Sequence, residues 1–166
     1  MSNYFSQPFS PVYDENSRIL ILGSFPSVKS REQGFYYGHP QNRFWKVLAA
    51  ICQVREPQSI SEKKKMLTDN YLAVYDVIES CEIEGSSDSS IRNVMPADIR
   101  SIIAESNIEV VFTNGRVAGK LYKKYQAEDI GLPMIELPST SPANAAFSLE
   151  RLTEVWRGSM MAYLEK

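Results

Sequence analysis

Between Gly34 and Val47 the chain reads GFYYGHPQNRFWKV, which gathers unusually many chemically useful side chains into one place. Phe35, Tyr36 and Tyr37 are flat surfaces on which a planar ligand could stack, and Gln41 and Asn42 each offer a donor and an acceptor to a polar edge. His39 is the single histidine, and Pro40 stiffens the turn behind it. Three more segments carry polar groups beside glycine or proline: GSFPS from Gly23 to Ser27, TNG from Thr113 to Gly115, and LPSTSPAN from Leu137 to Asn144.

Rival chemistries fit less well. Two cysteines and one histidine cannot make a four-ligand zinc site or a four-cysteine cluster, so neither metal nor cofactor is expected. GSFPS is not the glycine fingerprint of a dinucleotide site, and GRVAGK, from Gly115 to Lys120, is one residue short of a phosphate loop and is followed by Leu121 in place of Ser or Thr. A serine hydrolase would need His39 as base for Ser24 or Ser27, and no G-x-S-x-G elbow presents either serine; this stays a minor alternative. The net charge of -2 gives no general affinity for nucleic acid, although a local basic strip is compatible with it.

These segments need elements to hold them. Apolar runs at Arg18 to Gly23, Ala73 to Glu79, Glu109 to Gly115 and Met134 to Pro138 predict four strands. Amphipathic stretches at Asn42 to Cys52, Ser61 to Tyr71, Pro96 to Glu105, Val117 to Tyr125 and Ser148 to Leu164 predict helices, the third opened by its proline. The alternation predicts an α/β sandwich around a mainly parallel sheet, one domain over residues 1–166. In such folds ligands bind beyond the carboxyl ends of the strands, where GSFPS, TNG and LPSTSPAN all fall. The loop of about twenty residues after the first strand is long enough to be functional. GSSDSS, from Gly85 to Ser90, reads as a flexible surface loop.

GSFPS, GHPQNRFW, FTNG and PSTSPAN, in this order, resemble the motifs of the uracil-DNA glycosylase superfamily, and within it the hypoxanthine-DNA glycosylase branch. The resemblance runs from about Arg18 to Asn144. It implies a three-layer α/β sandwich with a four-stranded, mainly parallel sheet flanked by helices. It also implies an enzyme that flips a deaminated base out of DNA and hydrolyses its N-glycosidic bond, as chemistry on a base inside a duplex requires. The expected substrate is double-stranded DNA carrying deoxyinosine. Uracil or mismatched bases are the alternative within the class, and a damaged-DNA binder that does not cut is the alternative outside it.

The resemblance assigns roles by position. Relatives hold the attacking water with an Asp or Asn at the third place of the first motif, where this chain has Phe25; the branch resemblance moves that role to Asn42, whose competing role is a helix cap. Gly23, Ser24, Phe25, Phe35, Tyr37, His39, Gln41 and Asn114 are the expected base-binding set, and Ser27, Lys29, Ser139, Thr140, Ser141 and Asn144 the expected DNA contacts. Arg31 and Arg43 lie near enough in sequence to serve phosphate as well. A histidine frequent at the start of the second motif is replaced by Leu137. With no lysine placed for a Schiff base, the expected enzyme is monofunctional and leaves an abasic site. A monomer in the cytoplasm is expected, with reduced cysteines, no leader peptide and no membrane span.

Overall fold

The computed structural model describes residues 3–164. Four apolar strands form the central sheet: β2 (Ile19–Gly23), β3 (Leu72–Asp76), β6 (Val110–Asn114) and β7 (Met134–Leu137). They run parallel in the order β3-β2-β6-β7, as the strand and helix alternation predicts. Both middle strands are almost wholly buried, which is why they read as continuous apolar runs and not as alternating ones.

Side chains on β6 point alternately to the two faces and show what covers each. Phe112 meets Tyr163 of α7 (Leu149–Leu164), while Thr113 faces Gly119 of α5 (Arg116–Tyr125). Helix α2 (Phe44–Cys52) packs on α7, with Phe44 set edge-on to the buried Trp156, so it shares the α7 face. Helices therefore cover both sides of the sheet, and the three-layer sandwich follows. The remaining helices are α1 (Val28–Gln33), α3 (Ile60–Asp69), α4 (Ile99–Ala104) and α6 (Ala127–Ile130).

The structure departs from the sequence reading in three places. The run Ala73 to Glu79 is not one strand: after Asp76 the Val77 and Ile78 amides bond the carbonyls of Gly23 and Ser24, and the chain leaves the sheet. It continues as β4 (Ile78–Glu82) in a second, antiparallel sheet with β1 (Tyr4–Ser6) and β5 (Arg92–Pro96), in the order β1-β4-β5. Pro96 does not open a helix; it ends β5, and α4 starts two residues past Ala97, where the Asp98 carboxylate accepts the Ser101 N–H at 3.1 Å. Asp is a true cap, while proline at a strand end merely lacks a donor. The long first loop also contains α1, opened by the Ser27 hydroxyl accepting from Ser30 N–H and closed by Gly34 at φ 83°.

Among the described residues no helix is long and apolar enough to cross a membrane, and no group of three His, Cys, Asp or Glu converges as a metal site.

Candidate active site

Because the four strands are parallel, their carboxyl ends lie on one edge, where Gly23 pairs with Asp76 and Asn114 with Leu137. Beyond this edge is a cavity of about 160 Å³. Ten of the fifteen expected site residues meet there: Gly23, Ser24, Phe25, Ser27, Tyr37, Asn42, Asn114, Ser139, Thr140 and Ser141.

One hydrogen-bond chain joins three of the four motifs. Asn114 Nδ2 donates to Thr140 Oγ1 at 3.0 Å, and the Thr140 N–H returns a bond to Asn114 Oδ1 at 3.0 Å. The Thr140 hydroxyl then donates to Asn42 Oδ1 at 2.8 Å. The Phe44 N–H, the first amide of α2, donates to the same oxygen at 2.9 Å, so Asn42, one residue ahead of the Arg43 cap position, is tied to the helix start and lines the cavity at once. Two donors fill both lone pairs of Oδ1 and leave Nδ2 as the group it offers in this state. Each motif thereby fixes the rotamer of the next.

Tyr37 enters from the side. Its backbone sits at φ 53°, a conformation costly for a bulky residue and common at functional sites. The ring stacks on Phe44 with centroids 3.8 Å apart, and the hydroxyl is buried without a hydrogen bond of normal geometry. Burial first, and then the carboxyl of Asp76, hold the Tyr37 phenol far above its usual range; the nearby Asn114 amide pulls weakly the other way. Tyr36, also on the cavity wall, is raised by the same two causes and donates to the Ser10 carbonyl at 2.9 Å.

Asp76 is the residue that the sequence reading passed over. It is 3 % exposed at the end of β3, and Gln7 Nε2 donates to its Oδ2 at 2.9 Å. Burial pushes its carboxyl up to about 7, against the opposing pull of hydrogen bonds from Gln7 and from the Gly23 backbone. A signal was available in LAVYD, since an acid at the end of an otherwise apolar strand is seldom buried without a purpose.

GSSDSS is a cavity wall and not a free surface loop. Ser86 and Asp88 line the cavity, and the Ser86 hydroxyl accepts from the Val28 N–H at 2.9 Å. The Arg31 guanidinium donates to the Gly85 carbonyl at 2.9 Å and lies over the rings of Phe5 and Phe25. Burial raises the Asp88 carboxyl, with a hydrogen bond from Ser24 acting against it.

Other residues of the expected set lie elsewhere or take up partners within the fold. Phe35 is not on this cavity; it is buried in the core against Trp45, at 5.9 Å between ring centroids. His39 and Gln41 build the turn that delivers Asn42: His39 Nδ1 accepts from the Gln41 N–H at 3.1 Å, and the His39 carbonyl accepts from the Asn42 N–H at 2.9 Å. Thr140 is fully buried, and its hydroxyl is engaged in the network. Asn144 turns inward to the Ser139 carbonyl at 3.0 Å. Arg43 donates to the carbonyls of Phe147, Ser141 and Asn144, and so clamps the second-motif loop and is not free for DNA. Lys29 remains at the surface, 3.5 Å from Glu32 in a pair too exposed to hold it firmly.

Residues 10–158 match the family described as the uracil DNA glycosylase superfamily. A relative from Methanosarcina acetivorans named "Hypoxanthine DNA glycosylase" is 35% identical over 148 residues, covering 88% of this chain and 92% of its own length. A relative of the same name from Methanosarcina barkeri is 36% identical over 118 residues, covering 69% and 73%. A solution NMR structure of a Methanosarcina acetivorans protein provisionally described as a uracil DNA glycosylase aligns with a TM-score of 0.82 at 33% identity, over 97% of this chain and 99% of that one. With its motifs gathered at the carboxyl edge of a parallel sheet and nearly its whole length matched, the chain belongs to the uracil DNA glycosylase superfamily.

Proposed function

We propose that this protein is a monofunctional DNA glycosylase that extrudes a deaminated base, hypoxanthine first among them, from double-stranded DNA and hydrolyses its N-glycosidic bond to leave an abasic site. The observation that carries this reading is the convergence of four separate motifs on one small cavity, in a chain more than a third identical to relatives named for hypoxanthine release. The cavity is smaller than pockets that take drug-sized ligands, in keeping with one base and not a whole nucleotide. Its walls combine flat faces, Phe25 and Tyr37, with the polar groups of Asn42, Asn114 and Asp76.

In this mechanism the base is drawn off as the sugar becomes oxocarbenium-like, and a weakly activated water completes the reaction. Asn42 positions that water. The Phe44 N–H and the Thr140 hydroxyl fix its amide through Oδ1, which leaves Nδ2 to hold the water by its oxygen. No lysine is among the residues lining the cavity, which supports hydrolysis over a Schiff base. A single domain acting as a monomer in the cytoplasm belongs to the same proposal.

The test is base release from matched duplexes with one deoxyinosine or one deoxyuridine, by wild type and Asn42→Ala. Hypoxanthine release that falls at least about 100-fold in Asn42→Ala, with DNA binding retained, is the expected result. Release of uracil alone would move the assignment within the superfamily. Binding without release of either base would make the protein a damage sensor.

A further inference from the structure

One group in the cavity has no part in holding the water. Asp76 lies across the sheet edge from Asn42's network, fixed through Oδ2 by Gln7. Its other oxygen stands over Gly23, where a Cβ would lie 2.6 Å from Oδ1 and 2.8 Å from the Tyr37 hydroxyl. Among the described residues, none of the side chains lining the cavity is a lysine, arginine or histidine. The lining itself therefore supplies no cation to neutralise a carboxylate there or to meet the negative charge of a departing base. Leu137, where a histidine would stand in many relatives by resemblance, is an apolar residue 2 % exposed.

We propose that Asp76 is the acid of the reaction: its carboxyl faces the extruded base and gives that base a proton as the glycosidic bond breaks. This rests on the glycosylase reading above. The bond between the anomeric carbon and the ring nitrogen breaks with its electron pair passing to the base. The Asp76 proton goes to a ring nitrogen, so the base leaves neutral. The water oxygen bonds to the anomeric carbon, and the proton that it sheds returns through solvent to the Asp76 carboxylate. The net change is addition of one water across the bond, with no oxidant or metal in the balance.

The surroundings keep the proton on the acid. Tyr36 and Tyr37 from the first loop and Tyr75 on its own strand are within electrostatic reach of it, Glu79 acts on two of the same tyrosines, and Asp88 lines the same cavity; all are neutral or negative. Burial raises the carboxyl toward neutrality, in the range where a general acid works best. Gln7 can hold an amide in place of the carboxyl, so Asp76→Asn keeps the shape of the wall and loses only the proton.

The experiment measures single-turnover release from duplexes containing deoxyinosine or 2-fluorodeoxyinosine, whose base leaves more readily as an anion, between pH 6 and 9 in amine-free buffer. Asp76→Asn should slow hypoxanthine release by about 100-fold or more, and the fluorinated base by clearly less. The fall in wild-type rate above about pH 7 should vanish in the variant. DNA binding and folding should be unchanged. Should the variant fail to fold, wild type alone decides: the preference for the fluorinated base must grow as pH rises and the acid loses its proton. A variant within about threefold of wild type, an equal loss on both bases, or a preference indifferent to pH would overturn the proposal and leave the glycosylase reading intact. Wild type inactive on every duplex would overturn both.

Discussion

Gly23 carries no side chain because there is no room for one. Its φ does not lie in the left-handed region, so conformational freedom is not the reason; the space is taken by Asp76 Oδ1 and the Tyr37 hydroxyl. The residue is thus the floor on which the acid and the phenol meet. A Cβ at 2.6 Å from a buried oxygen must displace it, and Gln7 and the stacked Tyr37–Phe44 pair resist the movement. Gly23→Ala is expected to cost about 1 to 3 kcal/mol of stability by overpacking. It should also reduce base release more than about tenfold, since a displacement of this size in a catalytic group carries a large penalty. Urea denaturation beside single-turnover release would check both; a variant as stable and active as wild type would mean that the two side chains have another place to go.

Which parts of the protein were legible in the sequence depended on whether elements or contacts were at issue. The four parallel strands were readable because burial on both faces leaves long apolar runs. The small second sheet was not, since β4 continues the apolar run of β3 after one residue and only the bonds from Val77 and Ile78 reveal the change of direction. Motif order pointed to Asn42, Asn114 and the second-motif loop, but Phe35, His39 and Gln41 look the same in sequence whether they face a cavity or hold a turn. Asp76 and the Gly85–Ser90 wall lie outside the recognisable motifs and come to the cavity only through folding. Arg43 illustrates the difference best, because a cation beside a DNA-facing motif suggests phosphate, yet its guanidinium binds three carbonyls of the loop after β7. Arg43→Met should loosen that loop without emptying the cavity. The expected signature is faster amide exchange over residues 138–148, a stability loss of about 1 to 3 kcal/mol from part-buried carbonyls left without donors, and weaker binding to DNA. A loss of DNA binding with exchange unchanged would return Arg43 to the phosphate backbone.

At the scale of the whole molecule, the chain carries a net charge of -2 and keeps an acid inside its fold. Asp76 ties the stability of the protein to pH with a definite sign. Its folded pKa of about 7 is above the unfolded value, so between about pH 4 and pH 7 the folded state binds more protons than the unfolded chain. Stability from this group is therefore present at low pH and falls as pH rises through that window, levelling above it. Asp88, also raised by burial, adds in the same direction, whereas Glu82 and Asp98 are lowered by their hydrogen bonds and act oppositely. A single pH profile mixes all four. The difference between wild type and Asp76→Asn isolates one, because the other groups contribute to both proteins alike. Stability of the variant relative to wild type should rise by about 2 to 3 kcal/mol between pH 5 and pH 8, following the free-energy equivalent of a pKa unit. Urea midpoints at those two pH values measure it directly. A gap that stays constant would mean that Asp76 is ionised in the folded protein throughout, and a buried carboxylate without a cation would then need a partner that this cavity does not supply.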